Sequence, residues 1–232
     1  MKFYYGFDES FVQYSTHMGT DDTVCDAARV SMDKTAVMFS PTGNERLINY
    51  LAKHNHWSPF AHVQLQLRMK APIFIARQLQ KHQIGFAWNE VSRRYVSTTP
   101  EVWLPDYFRE KADSVKQGST DEASQHSNEY LAEAYKLCTD ALVLYNNMIE
   151  DRVCAEQARA VLPQSMITEW MWTGSLYAWS RLFNLRADPH SQREVQQYAH
   201  AISNIARNQF PLCWRALSNF DTKTYVDKLV GD

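Results

Sequence analysis

The stretch HVQLQLRMKAPIFIARQLQKHQIG, residues 62–85, changes its apolar period partway along, and that change decides the fold class. From His62 to Lys70, apolar Val63, Leu65, Leu67 and Met69 alternate strictly with His62, Gln64, Gln66, Arg68 and Lys70. A period of two puts one set on each face of an extended chain, so the segment reads as a half-buried β-strand. Pro72 then stands where a helix accepts proline at its first position, and Ile73 to Ile84 contains neither Gly nor Pro. A helix ended by Gly85 is therefore expected there. A strand running directly into a helix points to an α/β or α+β fold.

Working outward, TDDTVCDAARVS at 20–31 reads as a short helix capped by acidic residues, and Thr42-x-x-Glu45 after Pro41 offers a capping box for a helix to about His54. Phe86 to Arg94 reads as an irregular loop leading to a strand near Tyr95-Val96-Ser97, and residues 110–127 as polar and mobile. A long amphipathic helix is expected over about 122–150, burying Tyr130, Leu131, Ala134, Leu137, Cys138, Ala141, Leu142, Tyr145 and Ile149. A shorter helix carries Gln157 and Arg159 and stops before Pro163; Ile167 to Thr173 is β-like, and Gly174 to Ala187 helical. Asp188-Pro189 supplies an N-cap and first residue for a last helix to about Phe210. No repeat or linker interrupts the chain, so residues 1–232 read as a single domain. The expected fold is α/β (α+β), with a central, mostly antiparallel sheet flanked by helices.

With 232 residues, such a domain can bury roughly 70–75% of its unfolded surface. The net charge of −2 provides no overall cationic field, which argues against a nucleic-acid partner and for a pocket. Cys25, Cys138, Cys154 and Cys213 show no paired spacing, and the opening MKFYYGFDES lacks the apolar run of a signal peptide. Reduced thiols and a cytoplasmic location are expected. No run of 18 apolar residues suggests a membrane span.

Chemistry concentrates in RQLQKHQIGFAWNEVSRRY, residues 77–95. Here Arg77, Lys81, His82, Arg93 and Arg94 surround Asn89, Glu90 and Ser92, with Ile84, Phe86, Trp88, Val91 and Tyr95 interleaved. Fixed cations that can grip a phosphate, beside neutral groups that can read a ring, suit a phosphorylated planar molecule. On the expected helix Arg77 and Lys81 share a face, and like charges at that spacing suggest a missing anion. A second group, Arg159, Arg181, Arg186 and His190, gathers near the expected helix junction at NLRADPH, where new N-terminal amides would face an anion. For Arg186, pairing with Asp188 or with its own helix end is the structural alternative. The seven glycines never fall two or three apart, so neither a dinucleotide-binding loop nor a Walker phosphate loop is present. His54, His56 and His62 lack the Cys, Asp or Glu company of a metal site. None of the cysteines sits beside a histidine or in a basic motif, so no thiol nucleophile is indicated.

Six segments carry a family resemblance: AARVS at 27–31, HWSPFAH at 56–62, KAPIFIARQ at 70–78, NEVSRRY at 89–95, ARAVLP at 158–163 and LRADPHSQ at 185–192. Together they resemble the flavin-dependent thymidylate synthases. That family's signature is RHR, seven residues, then SxR; here Lys81-His82-Gln83 replaces the tripeptide and the spacer before Ser92 is one residue longer. The resemblance implies contacts to FAD from His56, Ser58, Lys81, His82, Gln83, Glu90, Ser175, Arg181 and His190. It implies contacts to dUMP from Gln78, Lys81, Glu90, Ser92, Arg93, Arg94, Arg159 and Arg186, with Arg94 and Arg159 on the phosphate. Arg186 matches the catalytic activator of the pyrimidine ring. The implied reaction is methylation of dUMP to dTMP, with methylenetetrahydrofolate as carbon donor and NADPH reducing the FAD. A homotetramer with active sites at subunit interfaces is implied too. Two other readings stand beside this one: a nucleotide- or RNA-binding module using residues 77–95, and a catalytically silent oligomeric relative, suggested by Lys81 and Gln83.

Overall fold

The computed structural model describes residues 1–112, 119–219 and 230–231. In chain order the strands are β1 (Lys2–Tyr5), β2 (Phe11–Met18), β3 (Gln64–Pro72), β4 (Phe86–Glu90), β5 (Glu101–Leu104), β6 (Arg109–Lys111), β7 (Ser119–Ala123), β8 (Ile167–Ser175) and β9 (Val230–Gly231). The helices are α1 (Asp21–Arg29), α2 (Pro41–Lys53), α3 (Ser58–Ala61), α4 (Ile73–Leu79), α5 (Ser127–Glu150), α6 (Ala155–Ala158), α7 (Leu176–Arg186), α8 (Arg193–Gln209) and α9 (Pro211–Leu217).

The main sheet has the order β4-β8-β3-β2-β9. Its central pairings are antiparallel, as the flanking bonds show: Ile73 N–H donates to Met166 O, and Leu176 N–H to Val63 O. Ser175 N–H to Gly85 O and Val91 N–H to Glu169 O fix β4 on β8 in the same sense. Only the edge strand β9 runs parallel, to β2. The alternation in β3 is confirmed, since Leu65, Leu67 and Met69 are fully buried. Each such side chain contributes about 1.5–3 kcal/mol by leaving water.

By its contacts the chain divides into two compact units. One holds Met1–Phe11, Met69–Lys81 and Asn89–Trp170; the other holds Val12–Arg68, His82–Trp88 and the described part of Met171–Asp232. In the first unit, β1 pairs in parallel with β5, and their inner side chains meet α5, where Val102 and Leu104 join Cys138 and Leu142 in one buried cluster. In the second unit, Ser15 Oγ donates to Gln66 Oε1 at 3.0 Å and Gln66 Nε2 to Thr173 Oγ1 at 2.8 Å, a side-chain ladder across β2, β3 and β8. The other side carries α7, whose Trp179 indole donates to Leu65 O at 3.0 Å. Trp179 stacks with Phe86 and Trp172, with both centroid distances 4.8 Å. Asp21 of α1 accepts the N–H groups of Leu212 and Cys213 at 3.0 and 2.9 Å, capping α9.

Several local expectations are corrected by tertiary contacts. The cap of α2 is Ser40, whose Oγ accepts the Gly43 N–H at 3.1 Å; Pro41 already occupies the first helical position, which leaves Thr42 inside the turn. Helix α4 ends at Leu79, not Ile84, so Lys81 and His82 lie in the turn before β4 and the expected Arg77–Lys81 helical face does not exist. Phe86 to Glu90 is a strand because Phe86 and Trp88 pack on Trp172, with centroids at 4.6 and 5.0 Å. Residues 95–97 form no strand: Ser92 O accepts the N–H groups of Tyr95 and Val96, and local bonds of this kind compete with a ladder.

Of residues 110–127, Lys111 and Ser119 belong to the paired strands β6 and β7, while 113–118 lie outside the described residues. That pairing delays α5 to Ser127. Its buried stripe is Cys138, Leu142 and Tyr145; Tyr130 and Leu137 point outward. Asp188 caps no helix, since α8 starts at Arg193 after the N-cap Gln192. Strands β1, β2, β5, β6 and β7 had no counterpart in the sequence reading.

Glycine at 174 is required by packing, for a Cβ there would overlap the Phe86 ring and press on Trp179 Nε1. At Gly85, φ is +82° and a Cβ would sit 2.9 Å from the Ala178 Cβ. Gly174→Ala is expected to destabilise the protein by about 1–3 kcal/mol through overpacking. The urea midpoint measures this, and an unchanged midpoint would mean that the aromatic cluster is free to shift.

Candidate active site

Sorted by unit, the residues singled out from sequence separate cleanly. Gln78, Lys81, Glu90, Ser92, Arg93, Arg94 and Arg159 belong to the first unit, and His56, Ser58, His82, Gln83, Ser175, Arg181, Arg186 and His190 to the second. The first set is the dUMP group apart from Arg186. The second is the expected FAD group without Lys81 and Glu90, joined by Arg186.

In the first unit the two arginines expected on a phosphate meet at one residue. Arg94 Nε lies 3.6 Å from the Glu156 carboxylate, and Arg159 Nε donates to Glu156 O at 3.3 Å. Both arginines are exposed. The turn at 92–96 sets Arg94: its N–H reaches Ser92 Oγ at 3.3 Å, and its guanidinium lies 5.6 Å from the Tyr95 ring centroid. Arg93 turns the other way and donates to Thr98 O. Glu90, at the end of β4, accepts from Thr168 Oγ1 at 2.7 Å. Gln78 is half-buried on α4, and Lys81 is exposed beyond its end. An exposed guanidinium pair whose nearest carboxylate is itself exposed can exchange that partner for a phosphate at low cost.

In the second unit the central contact joins the turn before β4 to the last residue of α7. Arg186 Nε donates to His82 Nε2 at 3.0 Å. The sequence offered Asp188 or the helix end as partners for Arg186, yet Asp188 is engaged elsewhere. It accepts from His190 N–H at 2.8 Å and lies 2.9 Å from the His190 ring. Those bonds hold the Asp188 carboxyl below its usual range. Both Arg186 and His82 are half-buried, and burial lowers the pKa of each. For His82 burial is the largest cause, followed by the positive charges of Arg186 and Arg181, and together they take it from 6.5 to about 4. The imidazole is neutral at physiological pH.

Around this contact, Gln83 and Arg181 are exposed, as are His56 and Ser58 at the start of α3. Ser175 is buried, and its Oγ caps α7 by accepting the Ala178 N–H at 3.2 Å. The His56 ring stands near Tyr50 and His54, at 5.8 and 6.3 Å between centroids. Two residues absent from the sequence reading join the site: Glu156, which gathers Arg94 and Arg159, and Thr168, which holds Glu90. Glu156 falls within one helical turn of Arg159, a spacing that could have flagged it; nothing in the sequence flags Thr168. Arg29 of the AARVS segment is buried, donating to Asn44 Oδ1 at 2.6 Å with its guanidinium 3.7 Å from the Phe39 ring centroid. Its contacts are structural. Cys25, Cys138 and Cys213 are buried, Cys154 is exposed, and burial pushes the Cys25 thiol up to about 11. A thiol so shifted is a poor nucleophile. Among the described residues no group of three or more His, Cys, Asp or Glu could hold a metal, and no helix is long and apolar enough to cross a membrane.

The family model for the thymidylate synthase complementing protein matches residues 13–212. The chain belongs to this family, that of the flavin-dependent thymidylate synthases. It is 36% identical to the flavin-dependent thymidylate synthase of Thermosipho africanus over 217 residues, covering 93% of this chain and 94% of that one. With a Thermus thermophilus enzyme of the same name, identity is 37% over 209 residues, 90% of this chain and 76% of the other. Among solved structures, the UMP/dUMP methylase PolB from Streptomyces cacaoi, bound with 5-Br dUMP, superposes with a TM-score of 0.82. It is 23% identical and covers 93% of this chain and 96% of its own, which shows a shared fold. As a family member the chain is a flavin-dependent enzyme.

The chemistry of the second unit's side chains fits a flavin nucleotide. Arg181 can meet a diphosphate, while His56, Ser58, His82 and Gln83 offer neutral partners for a ring edge.

A shift of this sign at His82 has a consequence for stability. Below pH 6.5 an unfolded chain protonates this histidine while the folded one does not, so folding stability is lost as pH falls from 6.5 towards about 4. His82→Gln is expected to flatten the decline of the melting temperature across that window. An identical decline in both proteins would mean that His82 titrates normally.

Proposed function

We propose that this protein methylates dUMP to dTMP without a cysteine nucleophile, taking the carbon from methylenetetrahydrofolate, with NADPH reducing its bound FAD. The observation that carries the reading is Arg186. The resemblance of LRADPHSQ assigns it the part of the family's ring activator, and its Nε donates to His82 Nε2 at 3.0 Å, which ties its side chain to the turn before β4.

Arg186 acts on the pyrimidine by stabilising the negative charge that develops when the ring is prepared for attack from carbon 5. Each pKa unit of such stabilisation is about 1.4 kcal/mol. Arg94 and Arg159 take the phosphate, released from Glu156 as the anion arrives. Gln78 and Ser92, with Glu90 held by Thr168, read the uracil and sugar, and Arg93 shapes the loop that presents them. His56, Ser58, Lys81, His82, Gln83, Ser175, Arg181 and His190 form the surroundings of the FAD. The flavin, when bound, supplies the electrons that turn the transferred one-carbon unit into a methyl group.

The active form is read as a cytoplasmic homotetramer with active sites at subunit interfaces. Support comes from α5, where Tyr130, Leu137 and Leu144 recur every seven residues and are 53%, 71% and 48% exposed, with Tyr135 and Val143 beside them. An apolar stripe of that period on an outward helix face is what one helix offers another, and a second copy of this chain carries the matching stripe.

The purified protein is expected to show flavin absorption bands that dUMP perturbs; a colourless protein that refuses added FAD would overturn the reading. Arg186→Ala should abolish dTMP formation while NADPH oxidation by the bound flavin continues, and loss of both would assign Arg186 to structure instead. Arg94→Ala should weaken dUMP binding by about 1.5–3 kcal/mol, the worth of hydrogen bonds to a charged group. Unchanged affinity in calorimetry would move the phosphate elsewhere. Leu137→Glu combined with Leu144→Glu should lower the mass seen by light scattering, and an unchanged mass would place the interface away from α5.

A further inference from the structure

We propose that Trp57 and Tyr177 form an aromatic platform for the adenine ring of FAD, with Arg181 meeting the diphosphate beside it. This rests on the reading that the second unit holds FAD, and it adds two residues to that site.

Two short pieces of chain build the platform. Trp57 is the N-cap of α3, where its carbonyl accepts the Phe60 N–H at 3.1 Å and Phe60 is fully buried. Tyr177 stands in the first turn of α7, and its hydroxyl donates to Asn55 Oδ1 at 2.8 Å. Asn55 has φ +54°, a left-handed conformation that asparagine tolerates better than most residues. The next N–H, that of His56, returns to Leu51 O at 2.8 Å. Backbone bonds and one side-chain bond thus hold both rings. Their centroids lie 6.1 Å apart with planes inclined by 40°, so neither ring covers the other. Trp57 remains 54% exposed and Tyr177 half-buried. A planar heterocycle can cover such a surface with little ordering cost, because the rings are already in place.

Arg181 follows Tyr177 by one helical turn and so shares its face of α7. Its side chain is exposed, and among the described residues none hydrogen-bonds to it or pairs with it. An aromatic face next to an uncommitted guanidinium suits a nucleotide: the base stacks, and the phosphate takes the cation. Of the two rings in FAD, adenine is the one that fits here. The isoalloxazine has carbonyl and nitrogen edges that call for hydrogen-bond partners, and the Tyr177 hydroxyl is already committed to Asn55. Stacking reads a base by its face and needs no edge partner. Position agrees, since His56 and Ser58 flank Trp57 and Ser175 precedes Tyr177 by two, all three expected at FAD. The charge of Arg181 also bears on His82, which links the platform to the turn whose His82 and Gln83 can meet a ring edge.

Calorimetric titration of the full-length protein, freed of flavin, with FAD and with FMN tests this, because FMN keeps the isoalloxazine and lacks the adenosine. The unaltered protein should bind FAD at least tenfold more tightly than FMN. Trp57→Ala/Tyr177→Ala should erase that preference, weakening FAD at least tenfold while FMN affinity changes less than twofold. Trp57→Phe, which keeps a ring, should retain most of the FAD affinity. Arg181→Gln should flatten the salt dependence of FAD binding, and an unchanged dependence would remove Arg181 from the diphosphate. Equal losses for FAD and FMN would overturn the proposal by assigning the two rings to the flavin end or to structure. Undiminished FAD affinity with a raised KM for NADPH would overturn it too, moving the platform to the adenine of the nicotinamide cofactor. If the double variant does not fold, Trp57→Ala alone, at an exposed position, should cost FAD at least threefold and FMN nothing; no cost to FAD would overturn the proposal. An unaltered protein that binds neither flavin removes the FAD reading itself, whereas tight FAD binding by every variant removes only the platform.

Discussion

The indole N–H of Trp179 donating to the Leu65 carbonyl is the contact on which the second unit's chemistry depends. It pins the middle of α7 to β3, while the rings of Phe86 and Trp172 close around the same indole. Arg186 lies two turns beyond Trp179, so its position follows from that anchor with little freedom left. The turn carrying His82 is fixed from its other end by Gly85 and β4. Aromatic packing over Gly174 therefore does for Arg186 and His82 what a flexible surface helix could not: it holds two half-buried, titratable groups at hydrogen-bond distance.

Electrostatics in the two units are handled by opposite means. In the first, exposed Arg94 pairs with the exposed Glu156 carboxylate while Arg159 donates to the Glu156 backbone carbonyl, and solvent screens the ion pair enough that an incoming anion can replace it. In the second, Arg186 and His82 are half-buried, and Arg186 Nε donates to His82 Nε2 at 3.0 Å. A phosphate site gains from cations that are available on demand. A site that stabilises charge only as it develops gains from a cation fixed beforehand. The same residue type thus stands in two environments that differ in exposure and partner.

Local pattern was a good guide where a single face decided the outcome. The alternation at 63–69 and the acidic start of α1 reappear as read, and of the nine residues expected in the buried stripe of α5, Cys138, Leu142 and Tyr145 are buried. It failed where the chain had to serve a neighbour. Residues 80–85 continue no helix because Phe86 must reach Trp172; Ser92 draws in the amides of Tyr95 and Val96; and Asp188 bonds to His190 instead of capping α8. Short-range propensities of a few tenths of a kcal/mol yield to aromatic burial worth several times more.

From its residues alone, this chain disclosed which chemistry it carries: the cations of 77–95 and 159–190, the absence of a glycine-rich phosphate loop, and six segments sufficient to name the family. Those are properties of composition and order, which the sequence holds completely. The partner of each cation was decided only in three dimensions. Arg94 with Glu156 and Arg186 with His82 are 62 and 104 residues apart in sequence, and only the packing of strand against helix brings them to contact. Whether a guanidinium is screened or buried, and whether its neighbour is charged or neutral, depends on the surrounding solvent and dielectric, which a linear chain does not define.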